Sequence, residues 1–190
     1  MLTWDPRFLF DELIPDPDLR DHFLRTVCPP EWNLAQDAGR SWADGVAEAV
    51  GRHPDCEPYI RAFDQQWHRT VGGPVEGTAD VMADVRAAGV GLYALTNFSA
   101  EKWPVAVAQW PQLTHFDGVV VSGDESLVKP DPRIYQLLLD RFGLTAGRTY
   151  FTDDNPANVD GARRVGIVAD PFTGADRLRT RLVELGVLAG

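Results

Sequence analysis

Apolar positions along this chain change rhythm once, near residues 72–74. Upstream they recur at helical spacing. Leu19, Phe23, Leu24 and Val27 share one face of a helix predicted over residues 16–28, with Asp16 and Asp18 near its start, where acids suit the helix dipole, and Pro29–Pro30 at its end. Trp42, Val46 and Val50 mark a second helix over 39–50, and Tyr59, Ile60, Phe63 and Trp67 a third over 58–69, with Gly51 and Pro54 between them. The first half therefore reads as a small helical bundle. The leading stretch MLTWDPRFLF is aromatic-rich, and no full strand precedes its Trp4-Asp5-Pro6 segment.

Beyond Gly72–Gly73–Pro74, helix and strand patterns alternate. A helix over 78–88, carried by Val81, Met82 and Val85, is closed by Gly89, and Val90–Leu95 follows as a near-continuous apolar strand of the kind buried on both faces. Next come a helix around 100–110, a strand at 118–121, a helix over 131–142, a strand at 149–152, a helix over 156–165, a strand at 167–169 and a last helix over 175–186. Such alternation predicts an α/β fold with a doubly wound parallel sheet.

Composition narrows the function classes. The 190 residues are 44% hydrophobic and 24% charged, enough for one compact domain or a core with a smaller attached module. A formal charge of −10, with no basic run, argues against nucleic-acid and anionic-membrane partners. Any anionic substrate must meet local positive charge. Cys28 and Cys56 show no metal or redox spacing and read as structural or free thiols of a reducing compartment. No apolar run approaches the roughly 20 residues of a membrane span, and the start lacks a basic-then-apolar leader pattern. The expectation is a cytoplasmic protein.

Polar chemistry gathers where the predicted strands end. Thr96 and Asn97 follow Val90–Leu95; Ser122, Gly123 and Asp124 follow Val119–Val121, with Lys129–Pro130 a few residues on; Asp153 and Asp154 follow Thr149–Thr152, and Asn155–Pro156 then opens a helix. The carboxyl ends of parallel strands are the usual ligand position in open α/β sheets. Two adjacent acids there repel each other, and a hard cation such as Mg²⁺, held through one or two carboxylates with its waters retained, relieves the repulsion. An N-capping carboxylate beside a solvated one gives the same pattern, and Thr96–Asn97 also suits a plain strand-to-helix turn. Together, a hydroxyl, an amide, an ammonium and two acids make a compact site for a phosphate with a divalent ion. Thr96 donates to a phosphoryl oxygen, and Lys129 offsets charge on the transferring group.

These residues resemble the haloacid dehalogenase-like hydrolase superfamily. Leu95-Thr96-Asn97 matches its second motif, Lys129-Pro130-Asp131-Pro132 with Ile134-Tyr135 its third, and Asp153-Asp154 with Asn158-Val159 its fourth, in order and spacing. The similarity runs from Trp4 to about Phe172 and is nearest to the small sugar-phosphate phosphatases and the amino-terminal phosphatase domain of soluble epoxide hydrolases. The resemblance implies a Rossmann-like core over 73–190, a helical cap over 11–72, and a remnant of the first core segment at 1–10.

The family's first motif, Asp-x-Asp or Asp-x-Gly, whose leading Asp forms an aspartyl-phosphate, is absent ahead of Trp4-Asp5-Pro6. Asp5 and Asp11 lie too late to replace it. That motif's strand sits mid-sheet, so its loss exposes unpaired backbone on two interior strands. One explanation is a start placed too late, Met1–Leu2 being the tail of an Asp-x-Gly-x-Val-Leu segment. The resemblance then implies a Mg²⁺-dependent phosphatase acting on a small phosphorylated metabolite as a monomer or homodimer. In it Thr96, Asn97 and Lys129 bind phosphate oxygens; Asp154 is the preferred direct metal ligand, and Asp153 holds the metal with it or orients Lys129 or a metal-bound water. A nucleophile-free relative that binds a phosphorylated ligand or a protein is the alternative. A 2-haloacid dehalogenase is the second alternative, disfavoured by the paired acids. In the cap, Trp32, Trp42, Phe63 and Trp67 read as core residues; Arg40 is a weaker candidate for substrate contact. His22, His53, His68 and His115 lack ligand spacing.

Overall fold

The computed structural model describes residues 2–190. Its first strand, β1 (Leu2–Trp4), pairs antiparallel with β2 (Val71–Pro74), so the opening segment is extended and stitched to the stretch where the sequence rhythm changes. Gly72 is the irregular residue of that ladder: a Cβ there would stand 2.6 Å from Thr3 Oγ1 and 2.7 Å from the Phe8 ring. Only glycine admits so close an approach.

Between these strands lies a helical module of α1 (Arg7–Leu13), α2 (Pro17–His22), α3 (Pro30–Asp37), α4 (Trp42–Arg52) and α5 (Glu57–Gln65). The predicted helix 16–28 is α2 continued by a π turn at Phe23–Val27, while α1 and α3 escaped the periodicity analysis because each spans about two turns. Asp16 caps α2 by accepting the Asp18 and Leu19 N–H groups, and Ser41 caps α4 by accepting from Asp44 N–H. The inward faces meet in an aromatic core in which Phe10, Phe23, Trp32, Trp42 and Phe63 are all buried. Ring centroids lie 4.7–5.8 Å apart in the Phe10–Phe23, Phe10–Phe63, Trp32–Trp42, Trp32–Phe63 and Trp42–Phe63 pairs, the tilted and edge-on distances at which aromatic quadrupoles attract.

The second half contains α6 (Thr78–Ala87), β3 (Tyr93–Thr96), α7 (Trp103–Gln109), β4 (Gly118–Val121), α8 (Ser122–Glu125), α9 (Pro132–Phe142), β5 (Tyr150–Asp153), α10 (Pro156–Arg164), β6 (Val168–Pro171) and α11 (Ala175–Glu184). This is the mixed α/β fold with parallel strands that the alternation predicts. The expected strand over Val90–Leu95 is displaced: β3 begins at Tyr93, and Val90 is exposed in the preceding turn. β3 pairs in parallel with β4, and β5 with β6, but among the described residues no ladder joins β3 to β5. Each of these two strands thus keeps one edge without a strand partner. Leu95, Val120, Ile134, Tyr135, Leu138 and Val159 form the core beneath β3–β5, and Val81, Val85 and Leu182 a smaller one between α6 and α11.

Candidate active site

Three chain segments deliver the site. β3 ends at Thr96, the loop before α9 brings Lys129, and β5 ends at Asp153. Local sequence chemistry sets each junction. Asn155 accepts Ala157 N–H and Pro156 follows at the first helical position, so α10 starts directly after the two acids. Asp131 does the same for α9 by accepting from Arg133 N–H.

Lys129 is the hub. Its backbone is clamped by the Asn97 side chain, which accepts from Lys129 N–H at 2.8 Å and donates through Nδ2 to the Lys129 carbonyl at 3.0 Å. Its ammonium donates to the Leu95 carbonyl at 2.8 Å and to Asp153 Oδ2 at 2.7 Å, spanning from β3 to β5 where no backbone ladder does. Both partners of the ion pair are only 8% exposed. An ammonium has three N–H donors, so one remains for a further acceptor.

Asp153 is fully engaged: Oδ2 takes the lysine, and Oδ1 accepts from Asn155 N–H and from Asn158 Nδ2, both at 2.9 Å. Asn158 is itself buried, and its backbone carbonyl accepts the Tyr135 hydroxyl at 2.7 Å. Burial raises the Tyr135 phenol, and the nearby Asp153 charge adds to the effect. Asp154 differs from its neighbour: it is exposed and makes no hydrogen bond among the described residues. The Thr96 hydroxyl also has no protein partner there. Because the Asn97 amide is spent on the clamp, what that residue has to offer an oxyanion is its backbone N–H.

The structure thus brings Thr96, Asn97, Lys129 and Asp153 together, with Asp154 beside them. Among the described residues no group of three or more His, Cys, Asp or Glu side chains is gathered as a metal site. The free Asp154 carboxylate suits a hard cation that keeps most of its waters, as Mg²⁺ does, so the donor chemistry fits that ion. Asp5 and Asp11 stand elsewhere: Asp5 accepts from Arg7 N–H, and Asp11 pairs with Arg7 and Arg20.

Other sequence candidates resolve into structure. Trp32, Trp42, Phe63 and Trp67 are buried core residues. Arg40 is an internal staple, donating to Gln36 Oε1 and the Trp32 carbonyl and pairing with Glu48. Sequence reasoning missed the seam between the helical module and the strand ends. There Ser122 Oγ contacts the Asp37 carbonyl at 2.5 Å and accepts from Phe98 N–H at 2.8 Å, and Ser99 Oγ accepts from Trp42 Nε1 at 3.1 Å. Asp37 sits in this seam; burial pushes its carboxyl up to about 7, against the pull of a hydrogen bond from Ser99 N–H. Ser122 carries a faint signal, a hydroxyl directly after an apolar strand. Ser99 and Asp37 carry none.

The family model for haloacid dehalogenase-like hydrolases matches residues 32–166. A sesquiterpene phosphatase of Aspergillus oryzae is 32% identical over 110 residues, 58% of this chain and 55% of the relative. A phosphoserine phosphatase of Thermus thermophilus is 29% identical over 170 residues, 86% of this chain and 67% of the relative. The chain therefore spans about half to two thirds of the length of these curated relatives. A family enzyme from Bacteroides thetaiotaomicron, crystallised with magnesium and inorganic phosphate, superposes with a TM-score of 0.69 at 17% identity, covering 92% of this chain and 89% of that one, and so shares its fold.

Proposed function

This chain belongs to the haloacid dehalogenase-like hydrolase family, and from that premise we propose that it serves a phosphatase acting on a small, sugar-phosphate-like phosphomonoester through an aspartyl-phosphate. The observation that carries this reading is the Lys129 ammonium, held in a buried bridge between the Leu95 carbonyl and Asp153 with one donor to spare, beside a free Thr96 hydroxyl and a free Asp154 carboxylate. That gathers an ammonium donor and a hydroxyl donor at neighbouring strand ends of a chain of net charge −10, which is what supports entry of a phosphoryl group.

On this reading the nucleophile is an aspartate on a strand that fits between β3 and β5, each of which keeps one edge without a ladder partner among the described residues. Its carboxylate oxygen bonds to phosphorus while the phosphorus–oxygen bond to the organic group breaks, the leaving alkoxide taking a proton from water. Water then cleaves the acyl-phosphate to free phosphate and the regenerated carboxylate. Thr96 Oγ1, the Asn97 N–H and the third Lys129 N–H hold the phosphoryl oxygens. Asp153 holds the lysine in place rather than meeting substrate, and Asp154 would hold Mg²⁺, which would supply neutralisation of charge on the phosphoryl oxygens. The helical module stands over the strand ends as a cap.

A nucleophile-free binder of phosphorylated ligands is the second reading, favoured by the lack of an unengaged aspartate at the Lys129 cluster besides Asp154. The test is phosphate release by the full-length protein. Release of phosphate from sugar phosphates with Mg²⁺, abolished by Asp154→Asn with the circular dichroism spectrum unchanged, supports the phosphatase. Unaltered turnover in that variant sinks the assignment, and phosphate binding without turnover selects the binder.

A further inference from the structure

Four residues within five positions of Asn97 reach into the helical module. The Phe98 ring lies 5.1 Å from Trp67. Ser99, 3% exposed, accepts Trp42 Nε1–H at 3.1 Å through its hydroxyl oxygen, which also receives Glu101 N–H at 3.2 Å. Glu101 Oε1 accepts the Trp42 backbone N–H at 2.9 Å. Lys102 donates to the Asp64 carbonyl and carboxylate and lies 4.6 Å from the Trp42 ring centroid. The other strand end behaves differently: Asp153 to Asn158 make no hydrogen bond to the module among the described residues. The module is thus tied to the β3–β4 side of the site, through the turn that starts at Thr96 and through Ser122 at the end of β4.

We propose that Ser99 is a positioning residue which, through Trp42 at the start of α4, couples phosphate occupancy of the Thr96–Asn97 turn to the placement of the helical module. The inference rests on the phosphate reading of that turn. Its physical content is short and stiff. Ser99 lies two positions beyond Asn97, a reach of about 7 Å at full extension. The far end of the link is Trp42, 1% exposed and in contact with Trp32 and Phe63, in a core that transmits a displacement instead of absorbing it. When an oxyanion draws the Asn97 N–H toward itself, Ser99 moves with it, and both hydrogen bonds to Trp42 carry the movement into α4. By reciprocity, the placement of α4 sets the affinity of the turn for phosphate.

Hydrogen–deuterium exchange with inorganic phosphate and MgCl₂ tests this in the chain as it stands. Phosphate is expected to slow exchange in peptides covering 96–102 and in those covering 41–52. In Trp42→Phe, which retains one six-membered ring and removes the indole N–H, and in Glu101→Ala, an exposed position that spares the core, the first protection persists. The second falls by at least about fivefold, the low end of coupling between sites. Protection of 96–102 with none at 41–52, or with equal protection at 41–52 in the variants, overturns the coupling and leaves the phosphate reading standing. No protection at 96–102 overturns both.

Discussion

Replacing Lys129 by Met tests the bridge on which the site rests, without requiring turnover. Methionine keeps the length and most of the volume of the lysine stem and removes the ammonium. The Asp153 carboxylate, buried to the same 8% exposure as its partner, then keeps only Asn155 N–H and Asn158 Nδ2 as donors. The Leu95 carbonyl loses its lysine donor. Removing one partner of a buried pair costs about 3–5 kcal/mol. The two surviving donors place this case near the lower end, and the orphaned carbonyl adds about 1 kcal/mol, so the expected loss is about 3–4 kcal/mol. At roughly 2–4 °C per kcal/mol for a chain of this size, the melting temperature falls by about 6–16 °C.

Urea denaturation followed by circular dichroism reads the loss, with the slope unchanged if both states keep their compactness. The double variant Lys129→Met/Asp153→Leu completes the argument: with both charges gone no ion is left buried alone, and stability recovers by at least about 1.5 kcal/mol over the single variant. A single variant within about 0.5 kcal/mol of the parent, or a double variant no better than the single, would refute the view that this bridge holds β3 and β5 together.

Asp37 makes stability pH-dependent. Its folded carboxyl lies at about 7 against an ordinary 3.8, so the neutral form is favoured in the fold; the stability it contributes is complete below about 3.8 and is lost as pH rises through 7. The loss is at most about 4 kcal/mol, and Asp37→Asn, measured from pH 4 to 8, should flatten that part of the curve; an identical curve in the variant refutes it. Gly123→Ala should cost at least about 1–3 kcal/mol by overpacking, because a Cβ there would stand 2.4 Å from Ala100 N and 2.9 Å from the Phe98 carbonyl. Thermal unfolding within a degree of the parent would contradict that close approach. Tyr135→Phe removes the donor to the buried Asn158 carbonyl and should lower stability by about 1–3 kcal/mol, read from the same urea midpoints.

Much of the site was legible in the chain because strand ends announce themselves. Thr96–Asn97 and Asp153–Asp154 close apolar runs, and Asn155–Pro156 and Asp131–Pro132 are helix openings by side-chain chemistry alone. Those signals are local, so the α/β alternation and the residue types at each strand end could be read without coordinates. The family followed from three such motifs in order.

What the sequence could not decide was which atoms meet. Asp153 and Asp154 are adjacent and chemically identical, yet one is buried among three protein partners and the other stands in solvent, because Asp153 closes β5 beside Lys129 and Asn158 while Asp154 already lies in the bend beyond the strand. The pairing of β1 with β2 and the seam contacts Trp42–Ser99 and Asp37–Ser122 join residues 57–85 positions apart. No local pattern encodes a partner at that distance; only the folded chain brings the two together.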